Sequence, residues 1–426
     1  MTPSVPASAR TALDSPPTVC ASDAPAAITD AGVVRVMIGA GVVLFLTMLP
    51  VAMLVPVLKG LVADRFATTP FWSHSFMSVN MIGALLAAPL AGPWIDRAPR
   101  RRPILVLLLI ANAATLALMS VADTFWMLLV VRFVEGAFHI LAVTTLMAIA
   151  ADWAPPARRG RFMGMIGAAL IFGTASGSPL GGIVGRSNPV LVLWVGAALA
   201  LAAALLALCV VRDPPERRPA PLRSVRALLR DHPPLWVPLA YAFIDRFCVG
   251  VIVSSFVLYL GEVAHLSRPQ VGGLLALFLF PFALLCYPAG RLADRIGRVL
   301  PMCVGSVLFG VVYALYGVVS PGGLWGLMLA SGVLSALMFA PNLAMCADLT
   351  PPAQRASAYA GFNFAGSLGF LCGPLAGGAM LAAIGDSLPR VEAYAWTFAA
   401  AGSTEVLCAL LTLPALLRLR RMGLVR

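Results

Sequence analysis

A chain of 426 residues that is 60% hydrophobic and only 11% charged, with mean hydropathy +0.91, lies far outside the soluble globular range, where roughly a quarter of residues carry charge. Composition therefore excludes a soluble domain and places the chain in a bilayer. The net charge of +12 is not a nucleic-acid footprint, because the basic residues, nearly all arginine, fall between apolar runs in alternate loops.

Residues 1 to 32 are rich in Ala, Pro, Ser and Thr without an apolar core, and are expected to form a disordered cytoplasmic segment. The first apolar run is full length, so it reads as an uncleaved anchor rather than a signal peptide. Twelve such runs follow one another, near residues 33–58, 72–93, 103–121, 124–150, 161–185 and 189–211, then 236–260, 270–290, 299–319, 322–347, 356–381 and 393–417. Each is long enough to cross a bilayer as a helix, and each is continuous where a barrel strand would alternate. The expected organisation is a six-helix bundle at 33–211, a cytoplasmic linker at 212–235, a second six-helix bundle at 236–417 and a basic tail at 418–426. The linker carries Arg212, Arg217, Arg218, Arg223, Arg226 and Arg230. With a cytoplasmic N-terminus, inner loops and tails hold twenty-three arginines and outer loops five basic residues, an asymmetry that sets both termini inside. Seven of the eight cysteines fall in or beside apolar runs and no Cys-x-x-Cys occurs, so they read as small packing residues, with no metal or cofactor expected.

The stretch Gly92-x-x-x-Asp96-Arg97, followed by Arg100 and Arg101, returns as Gly290-x-x-x-Asp294-Arg295, followed by Arg298, with Asp294 198 positions after Asp96. A second pair, Ala151-Asp152 through Arg158-Arg159 and Ala347-Asp348 through Gln354-Arg355, is offset by 196 residues, and Gly177, Gly181 and Gly182 match Gly373, Gly377 and Gly378 at that same offset. A duplication accounts for this. Each half has an even number of spans, so the repeats are parallel.

Over residues 33 to 417 the chain resembles the major facilitator superfamily. The two Asp-Arg loops are similar to its Gly-x-x-x-Asp-Arg-x-Gly-Arg-Arg signature, with Pro99 in place of the second glycine in the first copy and Val299 in place of the last base in the second. Arg132-Phe-Val-Glu135-Gly136 resembles its Arg-x-x-Gln-Gly pattern, with Glu for Gln. The run from Gly173 through Gly177, Pro179, Gly181 and Gly182 is similar to a pattern of exporters, and Leu49-Pro50 with Pro56 to that of twelve-span drug:proton antiporters. The resemblance implies an all-α membrane protein of two parallel-repeat six-helix bundles that works by alternating access. It further implies that Asp96, Arg97, Arg100 and Arg101 after Gly92, with Asp294, Arg295 and Arg298 after Gly290, latch the cytoplasmic side against helix ends of the opposite half.

Ionisable residues inside spans point to a transport pathway. Arg132, Glu135 and His139 fall at i, i+3 and i+7 on one helical stripe, which suits Glu135 as a proton carrier with Arg132 as its partner and His139 as a second titrating group. In the seventh span, Asp245 and Arg246 point about 100° apart, so each is expected to pair elsewhere, Arg246 with Glu405, leaving Asp245 for coupling. Thr47, Pro50, Arg246 and Asn342 are cavity candidates, and Gly177, Pro179, Gly181 and Gly182 with Gly373, Pro374, Gly377 and Gly378 are candidates for a hinge or a seam between halves. No Gly-x-x-x-x-Gly-Lys-Ser/Thr occurs, so neither ATP hydrolysis nor another enzymatic activity is expected. The leading expectation is proton-coupled efflux of a small amphipathic or drug-like molecule by a multi-pass monomer of a bacterial inner membrane, with protons and lipids as its other partners. The alternatives are a proton-coupled importer of a nutrient, metabolite or siderophore, and a non-transporting sensor or assembly factor.

Overall fold

The computed structural model describes residues 30–67, 70–214, 225–384 and 387–425. The segment 1–29, with Arg10 and Cys20, lies outside the described residues, as do Arg217, Arg218, Arg223 and Arg426. Among the described residues twelve long helices carry the fold. In the first half they are α1 (Asp30–Met53), α2 (Pro70–Arg97), α3 (Arg102–Ser120), α4 (Phe125–Trp153), α5 (Arg159–Val184) and α6 (Leu191–Val210). In the second half α7 runs Trp236–Val251 and continues through a π-helical turn, Ile252–Phe256, to Glu262; α8 (Arg268–Ile296), α9 (Val299–Ala314), α10 (Gly323–Asp348), α11 (Arg355–Ile384) and α12 (Arg390–Arg421) follow. A short linker helix, Val225–Asp231, joins the halves.

Among the described residues, eleven helices are long and apolar enough to cross a membrane. The remaining long helix, α2, has 28 residues around an apolar stretch at Ser78–Leu90. Large side chains such as Leu90, Trp94, Leu284 and Leu411 lie exposed on the outside, as a lipid-facing surface requires. Local chemistry sets several boundaries. Thr124 caps α4 by accepting from Met127 N at 3.2 Å, and α8 opens on a capping box of Ser267 and Gln270 and closes at Gly297, whose φ of 97° suits glycine. Two expectations shift. Residues 30–32 are helical rather than disordered, and the first span ends at Met53 instead of 58. Pro50 has no N–H for the last turn, and Pro56 disfavours a helical Val55.

The two halves pack by the same scheme. α1 lies on α5 and α6 as α7 lies on α11 and α12, α2 lies on α4 as α8 lies on α10, and α3 lies on α6 as α9 lies on α12. Gly136 abuts the Asn80 carbonyl, and Gly332, its counterpart 196 residues on, abuts the carbonyl of Phe278. Between halves, α2 packs on α11 and α8 on α5. The end of the bundle where α2 and α8 finish and α5 and α11 begin is termed the basic end.

Candidate functional site

At the basic end two equivalent sets of buried charges tie the halves together. Asp96, at the end of α2, accepts hydrogen bonds from Ala356 N at 2.9 Å and Ser357 N at 2.7 Å, in the first turn of α11. Asp294, at the end of α8, accepts from Gly160 N at 2.7 Å and Arg161 N at 2.9 Å, in the first turn of α5. Each carboxylate thus meets the positive end of a helix from the opposite half. Arg101 pairs with Asp96 and reaches Asp152 at 2.5 Å, and Asp152 binds Arg355 of the other half at 2.8 Å. The second set repeats the pattern: Arg298 joins Asp294 at 2.8 Å to Asp348 at 3.1 Å, and Asp348 binds Arg159 of the first half at 2.5 Å. Gly92 and Gly290 allow the approach, since a side chain on either would strike the first turn of α11 or α5.

Of the loop residues singled out in the sequence, Asp96, Arg101, Asp294 and Arg298 enter these sets. Arg97, Arg100 and Arg295 are exposed and stand outside them. Asp152, Arg159, Asp348 and Arg355 complete the sets without having been singled out as site residues, although their matched positions in the second repeat were the available signal.

Within the first half, Glu135 Oε2 accepts from Arg132 Nη1 and from Asn80 Nδ2, both at 2.6 Å. The Arg132 guanidinium lies 4.9 Å from the ring centroid of Phe76. Asn80, from α2, was not singled out in the sequence; the glycines that let α2 and α4 close, Gly83 against Phe133 and Gly136 against Asn80, deliver it. Glu135 is fully buried, and Glu135 Oε1, Arg132 Nε and Nη2, and His139 Nδ1 lack hydrogen-bond partners among the described residues. His139 thus shares the stripe without bonding to the pair.

The seventh span departs from expectation. Arg246 Nε lies 3.8 Å from Asp245 Oδ2, and the guanidinium sits 5.3 Å from the Phe339 ring centroid. Glu405 has Ser306 Oγ at 2.5 Å and Cys248 Sγ at 3.8 Å instead of Arg246. The reason is reach. A guanidinium on a flexible stem can fold back to its neighbour, while Glu405 faces Ser306 on α9 and Arg246 lies between Gly366 and Phe339.

The remaining candidates are packed. Thr47 donates to Val43 O at 2.7 Å, Pro50 is buried near Gly196 of α6, and Asn342 donates to Pro238 O at 3.2 Å. Gly177 and Gly181 seat α5 on α1, and Gly373 and Gly377 seat α11 on α7, so this seam runs within each half rather than between halves. Gly182 and Gly378 meet open space or only a distant contact. Pro179 and Pro374 lie inside α5 and α11. Above the basic end, Asn363 of α11 donates to Thr144 of α4 at 2.8 Å, and the rings of Phe172 on α5 and Phe280 on α8 meet at 5.7 Å, both across the halves.

The family model described as Major Facilitator Superfamily matches residues 40–260 and 239–422. The chain is 26% identical over 317 residues to the human chromaffin granule amine transporter, covering 71% of this chain and 58% of that protein, and so spans less than two thirds of that relative. It is 26% identical over 334 residues to the class E tetracycline resistance protein of Escherichia coli, covering 75% of this chain and 78% of that one. Among solved structures, the human organic anion transporter TETRAN aligns with a TM-score of 0.72 at 22% identity, covering 89% of this chain and 99% of that one.

Proposed function

The chain belongs to the Major Facilitator Superfamily, and we propose that it is a proton-coupled exporter of a small amphipathic or drug-like molecule, with its two six-helix halves rocking about a central path. The observation that carries this reading is the crossed set of ion pairs. Every set joins residues of both halves, so the basic end cannot part without breaking Asp96 and Asp294 from the helix ends they cap and Asp152 and Asp348 from Arg355 and Arg159. We take these contacts as the latch of one transport state, with the basic end facing the cytoplasm of a bacterial inner membrane. The name of the tetracycline resistance relative supports export.

Proton coupling falls to Glu135, held by Arg132 and Asn80, with its unpartnered Oε1 as the oxygen that takes the proton. Because Glu135 is buried in this state, exchange with water belongs to a state in which α2 and α4 or the halves have moved. Asp245 beside Arg246 is the second candidate in the path. Everted membrane vesicles provide the test, with a panel of lipophilic cations and tetracycline as probes. An imposed proton gradient is expected to drive probe uptake into these vesicles, and Glu135→Gln, inserted at normal levels, is expected to abolish the gradient dependence. Uptake that ignores the gradient, or a Glu135→Gln variant that still follows it, would refute the coupling.

A further inference from the structure

Away from the bundle ends, the spans of the second half hold two carboxylates and one guanidinium: Asp245 and Arg246 of α7, and Glu405 of α12. Arg246 stays with Asp245, at 3.8 Å. Among the described residues no cation pairs with Glu405, which has no exposure to solvent. Its oxygens meet neutral groups only: Ser306 Oγ of α9 donates to Oε1 at 2.5 Å, and the Cys248 thiol of α7 lies 3.8 Å from Oε2. The charged and titratable groups that act on it are Asp245 and Cys248 of α7 and Cys408, further along α12. α9 faces it with the Ser306 hydroxyl, and α11 and the π-helical turn of α7 add none. Every one of these is an acid or a neutral group. Glu135 in the first half has a bound arginine, and Glu405 has no cation in that place. A carboxylate left alone in a low-dielectric interior is not maintained as an ion but takes up a proton.

We infer that Glu405 is the proton-binding site of the second half, with Oε2 carrying a proton beside the Cys248 sulfur while Oε1 accepts from Ser306, and that this proton leaves by way of Asp245 as the halves move. Asp245 and Cys248 lie at i and i+3 on one face of α7. Asp245 is 6% exposed and Glu405 not at all, so Asp245 stands between Glu405 and the central path. On release the Oε2–H bond breaks and the proton passes to the Asp245 carboxylate, then to water that enters with the movement. Glu405 is left as an anion until a proton returns along the same route. The halves thus hold chemically different sites, an ion-paired Glu135 and a Glu405 without a cation, and a cycle that uses both moves one proton at each. That consequence rests on the proton-coupled reading above, while the site itself does not.

Infrared difference spectroscopy of the full-length protein in detergent, wild type against Glu405→Gln, tests the site. Glutamine keeps the shape and neutrality of the protonated acid, so the variant is expected to fold with an unchanged thermal midpoint. A protonated-carboxyl band is expected in the wild type at neutral pH, lost in Glu405→Gln, and disappearing reversibly as the buffer is made alkaline, before the protein unfolds. Ser306→Ala removes the donor to Oε1 and is expected to move that band to higher frequency, which keeps the assignment decidable where Glu405→Gln fails to fold. The absence of any band assignable to Glu405 overturns the site. A band that persists unchanged until unfolding overturns it equally, since that marks a fixed structural acid. The role in transport is read in everted vesicles with tetracycline and tetraphenylphosphonium as probes, where Glu405→Gln, inserted at normal levels, is expected to lose gradient-driven uptake. Uptake that follows the gradient as in the wild type strikes Glu405 from the cycle. If the wild type itself takes up neither probe, the export reading fails for them, while a reversibly titrating Glu405 band still establishes the proton site.

Discussion

Glu135 gathers both of its hydrogen bonds on one oxygen and leaves the other bare, inside a region with no exposure to water. Such a group is tolerable only while its cation stays in place. Removing one member of a buried pair costs about 3–5 kcal/mol, because the survivor is left charged and unpartnered. Arg132→Ala is therefore expected to lower the thermal midpoint sharply, and Arg132→Ala with Glu135→Gln to recover much of the loss. A single variant as stable as the wild type would show that the pair is not the compensated unit described here. Asn80→Ala is expected to cost less, ~1.5–3 kcal/mol for one hydrogen bond to a charged group, and to impair gradient-driven transport beyond its effect on stability. At this scale the sequence was only partly legible. The stripe of Arg132, Glu135 and His139 was readable from helical period, but Asn80 was not, since it arrives from another helix. Arg246 was assigned to the wrong carboxylate, because a helical wheel gives the direction of a side chain and not its reach.

Helices approach closely where the residue between them is glycine, and the matched glycines of α5 and α11 show which positions depend on it. Gly181 faces the Met53 backbone of α1, whereas Gly378 of α11 has nothing near its missing side chain. The two are not counterparts: Gly181 matches Gly377, which is crowded by Ser255, and Gly378 matches Gly182, which meets only a distant Pro56, so the repeat keeps the constraint at the first glycine of each pair and its absence at the second. Gly181→Ala must push α5 off α1 and is expected to cost about 1–3 kcal/mol, as overpacking does, while Gly378→Ala is expected to fall within about ±0.5 kcal/mol. Thermal melts of the two variants in one detergent decide the matter, and equal effects would rule out the packing described for α1 and α5. The helices themselves were legible as apolar runs, because a bilayer demands them. Which face of the glycine motif meets a neighbour was not, and the expected seam between halves proved to lie within each half.

Across the whole molecule, the duplication preserved the closure of the basic end and let the polar chemistry of the spans diverge. Asp96 with Ala356 N and Asp294 with Gly160 N occupy matched places, as do Asp152 with Arg355 and Asp348 with Arg159. The positions 196 residues after Arg132, Glu135 and His139 are instead Met328, Ser331 and Ser335. Both repeats were visible in the sequence, and the resemblance implied Asp96 and Asp294 against helix ends of the opposite half, but the pairing of Asp152 with Arg355 and of Asp348 with Arg159 was not legible, because a repeat records what is shared and not which copy it touches. The crossed pairing makes a specific prediction about charge exchange. In an isolated ion pair, exchanging the partners restores the attraction; here Asp152 also holds Arg101, so Asp152→Arg with Arg355→Asp places a new guanidinium against an existing one. The exchange is therefore expected not to rescue closure. Spin labels at Arg100→Cys and Arg295→Cys, two exposed sites on opposite halves, introduced on a background without the native cysteines, report the separation of the basic end. A lengthened distance is expected for Asp152→Arg alone and for the exchanged pair alike. A wild-type distance in the exchanged pair would mean that Asp152 and Arg355 act as a simple couple, and that Arg101 is a bystander rather than the link between Asp96 and Asp152.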